Sequence, residues 1–158
     1  MPTPMFTASA IVRTMRPRQW AKNVLVVAAA LAAGVLGDGN NIAIIIGAFV
    51  AFTLAASAVY LFNDARDVEA DRERPRKRSR PIAAGELSVR TAVISSVFVA
   101  TAGLALGTAI DRDLGITLGV YVVIQVAYAL WLKDQAVIDL AIVSAGFLLR
   151  AIAGGVAV

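Results

Sequence analysis

Residues 42–62 read IAIIIGAFVAFTLAASAVYLF, and the next nine, 63–71, read NDARDVEAD. The first stretch carries no charge and is as long as the roughly 20 apolar residues that a helix needs to cross a bilayer. It ends on Asn63, Asp64, Asp67 and Asp71, so a membrane span opens directly onto a cluster of acids. Arg72, Arg74, Arg76, Lys77, Arg78 and Arg80 follow at once. Acids suited to a metal stand beside bases suited to phosphate, at the edge of a bilayer.

Working outward, four more apolar segments appear near 21–36, 91–110, 114–132 and 136–158. Polar breaks at 38–41, 64–90, 111–113 and 133–135 separate them. Hydrophobic residues make up 59% of the 158-residue chain and charged residues 16%, where a soluble domain is about a quarter charged. The expected fold is all-α: a multi-pass transmembrane helix bundle of about five spans, forming a single membrane domain over 1–158. Residues 1–20 read as an interfacial lead-in that breaks at Arg16-Pro17. The basic start and Ala30-Leu31-Ala32 resemble a cleavable leader, but four further apolar segments argue for a retained span.

Charge sets the orientation. Arg13, Arg16, Arg18 and Lys22 precede the first segment, the 64–90 connection is dense in cations, and Lys133 follows the fourth segment. The opposite connections hold only Arg112. The positive-inside rule places the N-terminus and the 63–90 loop in the cytoplasm. The basic blocks flank apolar spans, so anionic lipid and phosphate are the expected partners and nucleic acid is not. No cysteine or histidine occurs, which removes thiolate sites and the commonest neutral-pH base.

Asp64, Asp67 and Asp71 lie at i, i+3 and i+7, on one face of a helix. Their mutual repulsion calls for a cation, and a hard divalent ion bridged to phosphate oxygens fits. On a regular helix Asp64 and Asp71 are about 10 Å apart in rise. One ion would then bridge neighbouring acids but not both ends. The third acid would bind a second ion, orient a water or act from behind. Asn63 adds a neutral amide. The bland alternative is a solvated helix end, its acids paired with Arg66, Arg72 and Arg74.

Pro75, Pro81 and Gly85 predict an irregular basic loop, in which arginine grips phosphate bidentately and lysine acts as a point charge. The same cations also serve to hold the orientation. Lys22, Asn23 and Lys133 should face this side, as phosphate contacts or interfacial anchors beside Trp20, Tyr128 and Trp131. Arg150 interrupts the last segment and should face the bundle, a partner or water. Ala141, Ala145 and Gly154 would allow close helix packing there.

These residues resemble the UbiA-type intramembrane prenyltransferase superfamily, whose first acidic motif is matched at Asn63, Asp64, Asp67 and Asp71. The opening MRPRQWAKN at 15–23, Pro75, Lys77-Arg78, RPIAAG at 80–85 and the 147–155 stretch resemble its decaprenyl-phosphate phosphoribosyltransferase branch. The resemblance implies Mg²⁺-dependent transfer of a 5-phosphoribosyl group from phosphoribosyl diphosphate to polyprenyl phosphate. It implies the cytoplasmic face of the plasma membrane and a role in cell-wall arabinan precursor synthesis. It assigns Asp64, Asp67 and Asp71 to metal and catalysis, and Lys22, Asn23, Asn63, Arg66, Lys77, Arg78, Arg80 and Lys133 to substrate. It also implies nine spans and a second polar motif. With about five spans here, a truncated or partial sequence is expected, inactive by itself. The rival readings are prenyl transfer from a diphosphate to an aromatic acceptor, and a non-catalytic membrane anchor.

Overall fold

The computed structural model describes residues 4–32, 34, 39–132 and 136–157 and contains no strand among them. Helix α1 spans Pro4–Thr14, with proline at the first turn, where its missing N–H is harmless. The chain then turns at Arg16, which has φ 56°. Proline at 17 keeps its predecessor out of the right-handed region. A 3₁₀ helix follows over Pro17–Asn23, then α2 over Val24–Ala32. The remaining helices are α3 (Gly39–Arg66), α4 (Val68–Glu73), α5 (Val89–Ile110), α6 (Arg112–Ala127) and α7 (Ala136–Val156). A π-helical turn over Tyr128–Leu132 ends α6.

Among the described residues, four helices are long and apolar enough to cross a membrane: Asn41–Arg66, Val89–Ile110, Arg112–Leu132 and Ile138–Val156. The described residues of the first expected segment do not reach that length. The segment's first three residues, 21–23, end the 3₁₀ helix, and α2 adds nine residues, about 13 Å of rise.

Helix α3 is the hub, packing against α2, α5, α6 and α7. In its most apolar window 56% of residues are buried, against 17–33% for the other spans. Val26, Phe52, Val59, Leu114, Leu118 and Tyr121 form the main core, with the Phe52 and Tyr121 rings 4.7 Å apart. The outer faces carry exposed apolar side chains, including Phe98, Val123, Leu140 and Leu148. That is an inverted surface for water and a suitable one for lipid.

Close packing of α7 on α2 depends on Gly154, where a Cβ would lie 2.0 Å from the Val26 carbonyl oxygen. Of the other small residues expected to pack, Ala145 is half-buried and Ala141 is exposed. A Gly154→Val substitution should force the two helices apart and cost about 1–3 kcal/mol. Thermal unfolding in detergent should show the loss, and an unchanged midpoint would contradict this contact.

The 74–88 segment is irregular, as its prolines predict, yet ordered. Successive turns link Lys77 to Arg74, Arg80 to Lys77 and Leu87 to Pro81. Ile82 and Leu87 are buried beside Leu61, Ala65 and Ala92, which pins the loop to the ends of α3 and α5. Ser88 caps α5, accepting a bond from the Thr91 N–H at 3.0 Å. Ser88→Ala should cost about 1 kcal/mol, visible as a small loss of thermal stability with transfer activity intact.

Candidate active site at the polar end of the bundle

Helix α3 stops at Arg66, and Asp67 has φ −90° and ψ 9° before α4 begins. This break takes the acids off a single helix. Arg80 Nη1 donates to Asp64 Oδ1 at 2.9 Å and to Asp71 Oδ2 at 2.6 Å. One nitrogen thus reaches two carboxylates that a straight helix would hold about 10 Å apart. The guanidinium nitrogen spans Asp64 and Asp71 across the break at Asp67, through bonds longer than the roughly 2.0–2.1 Å of a magnesium ion.

Arg16 Nη2 adds a bond to Asp64 Oδ1 at 2.5 Å, and Lys77 Nζ stands 3.7 Å from Asp71 Oδ1. The left-handed turn at Arg16 aims its guanidinium here, also over the Tyr60 ring at 4.9 Å. Asp64 is 3% and Asp71 1% exposed, so these two acids do not form a solvated helix end. Their partners are Arg16, Arg80 and Lys77 rather than Arg66, Arg72 and Arg74. Only the outer acids follow the surface pattern. Glu69 pairs with Arg72 at 2.9 Å, and Asp67 lies 3.9 Å from Arg66.

Arg66 also donates to the Leu130 carbonyl at 2.9 Å, tying the ends of α3 and α6 together. Tyr128 donates to Asp139 at 2.5 Å, which brings the start of α7 to the same end. An Arg13–Glu86 ion pair joins α1 to the basic loop. Arg78 is exposed and makes no ion pair with these acids. Lys133 lies outside the described residues.

Beside the acids, a cavity of about 150 Å³ opens between α3, α6 and α7, with Lys22, Tyr60, Asn63, Tyr121, Gln125 and Arg150 among its walls. Asn63 Oδ1 is buried without a hydrogen-bond partner. Asn23 does not reach this cavity. It is buried, donates to Thr53 at 3.0 Å and accepts from Arg150 Nε at 2.8 Å. Sequence reasoning did not assign Arg16, Tyr60, Tyr121 or Arg150 to the site. Arg150 alone gave a signal, as a cation inside an apolar run.

The acids suit a hard divalent ion in one respect and limit it in another. Asp71 Oδ1 is buried without a hydrogen-bond partner, an anionic oxygen suited to a metal. Among the described residues no three acidic side chains gather tightly enough to hold an ion alone. Magnesium commonly binds one or two carboxylates and completes its octahedron with water and substrate phosphate. Asp64 and Asp71 offer two neighbouring carboxylates of that kind.

The described helices thus gather acids and cations at one polar end of an apolar bundle. The chain belongs to the UbiA prenyltransferase family, whose profile matches residues 23–158. Among its relatives it is similar to the decaprenyl-phosphate phosphoribosyltransferase of Mycolicibacterium smegmatis. The two are 50% identical over 98% of this chain and 50% of that protein. The enzyme of the same name from Corynebacterium glutamicum is also 50% identical, over 98% of this chain and 48% of that protein. The chain thus spans about half the length of the curated relatives it matches. A solved structure of a digeranylgeranylglyceryl phosphate synthase superposes with a TM-score of 0.86 at 20% identity. It covers 96% of this chain and 53% of that one, which shows the fold.

Proposed function

We propose that the protein this chain represents transfers a 5-phosphoribosyl group from phosphoribosyl diphosphate to polyprenyl (decaprenyl) phosphate. The reaction would run at the cytoplasmic face of the plasma membrane, supplying cell-wall arabinan precursors. The observation that carries the reading is the convergence of Asp64 and Asp71 on one cation position at the mouth of the bundle. Half-identity to two phosphoribosyltransferases supports the choice of donor and acceptor.

In this reading Asp64 and Asp71, with Asp67 nearby, would hold Mg²⁺, which neutralises charge on the departing diphosphate. Arg80, Lys77 and Arg16 stand around the same carboxylates and would hold phosphate oxygens as that charge grows. The acceptor phosphate is already ionised at neutral pH, so no strong base is required. A chain without histidine or cysteine can therefore act by positioning and fixed charge. Because relatives are about twice as long, we assign the activity to a protein of that length and expect none from residues 1–158 alone.

The test is incubation of membranes holding the full-length protein with ribose-labelled phosphoribosyl diphosphate and polyprenyl phosphate. Label should enter the lipid fraction. Label confined to water, with prenyl transfer to an aromatic acceptor instead, would refute the assignment.

A further inference from the structure

Arg150 sits where a cation is costly. Asp139, near the polar end of α7, is eleven residues before it, so Arg150 lies about 16 Å deeper along the helix. It is 6% exposed, and among the described residues none of the ion pairs includes it. Its neighbours are neutral. Nε bonds to Asn23 Oδ1 at 2.8 Å and Nη1 to the Gly146 carbonyl at 2.6 Å. The guanidinium carbon lies 5.1 Å from the Phe52 ring centre, 5.4 Å from Tyr121 and 5.9 Å from Phe147.

Aromatic faces and amide oxygens lower the cost of this charge without cancelling it. A buried, unpaired cation at membrane depth marks a place for an anion. The two bonds use two of the five guanidinium N–H donors, and Arg150 lines the cavity it shares with Lys22 and Asn63. Among the described residues no acidic side chain lines that cavity. It therefore has positive charge at its floor and mouth and, among the described residues, no carboxylate to hold a metal. The acid pair is the opposite case, with its anionic oxygens already gathered around one cation position.

We propose that Arg150, with Lys22, forms a metal-independent phosphate subsite, separate from the acid pair and held in place by Asn23. The choice of phosphate among oxyanions rests on the transfer reaction proposed above. That reaction has two phosphate monoesters, the 5-phosphate of the sugar donor and the head of the lipid acceptor, and either has the chemistry this subsite recognises. Asn23 is then a positioning residue. It orients the guanidinium through Nε while its own amide is fixed by Thr53.

The experiment measures binding to the full-length protein in detergent with excess chelator, using ribose 5-phosphate in one arm and farnesyl phosphate in the other. At least one probe should bind, and the arm that binds identifies the source of the phosphate. Arg150→Gln should weaken that probe about 10- to 100-fold, the range of a charge-assisted hydrogen bond, and Arg150→Lys should weaken it less. Lys22→Gln, at the exposed mouth, provides a second reading if Arg150→Gln fails to fold, with an expected loss of about tenfold. Loss of all binding on chelation would overturn the proposal, as would unchanged affinity in the folded variants. Failure of the transfer reading is distinguishable. Chelator-resistant binding without transfer to lipid would leave the subsite standing, whereas transfer with unaltered binding in both variants would remove it.

Discussion

Asp64→Asn in the full-length protein is expected to lower phosphoribosyl transfer by at least about 100-fold, the scale set by removing one fixed electrostatic contact to a developing charge. Asparagine keeps the shape and still offers an oxygen to Arg16 and Arg80, so the bundle should persist. What it removes is the negative charge that can share a divalent ion with Asp71. The effect should appear in kcat/KM, with gel filtration and helical content unchanged. A variant within a few-fold of the parent would mean that Asp64 serves only to anchor Arg16 and Arg80.

Arg80→Ala should produce the largest loss of stability. It leaves Asp71 with only Lys77 at 3.7 Å and Asp64 with only Arg16, both carboxylates being nearly inaccessible. Removing one partner of a buried ion pair costs about 3–5 kcal/mol. The melting temperature in detergent should fall accordingly. Added Mg²⁺ should return part of the loss, since binding at 100 times Kd stabilises by about 2.7 kcal/mol. A melting temperature equal to the parent's would show that the two acids do not depend on Arg80.

Much of this was legible from residue order. A 21-residue uncharged run ending in four polar residues predicts a span that opens onto a site, and α3 is that span. The remaining long apolar segments became α5, α6 and α7, and the polar break between α5 and α6 coincides with the turn capped by Asp111. The first segment was harder. Its hydropathy does not show that the 3₁₀ helix begun at Pro17 runs on into its first residues.

The site was legible in its members but not its pairing. Spacing places Asp64, Asp67 and Asp71 on one face only if the helix continues, and the bend at Asp67 removes that premise. A periodic pattern cannot report a single residue's dihedral angles. Nor can spacing show that Arg16, 48 residues upstream, meets Asp64, because that contact arises from tertiary packing. Arg150 was visible as an oddity. Its meaning required the aromatic rings and the Asn23 amide that the fold gathers around it.

The most direct measurement is turnover of the full-length protein on phosphoribosyl diphosphate and polyprenyl phosphate across a divalent-ion titration. Transfer should vanish in excess chelator and return saturably with Mg²⁺, with Asp71→Asn requiring a higher concentration. Transfer that proceeds undiminished without any divalent ion would contradict the assignment of Asp64 and Asp71 to a metal.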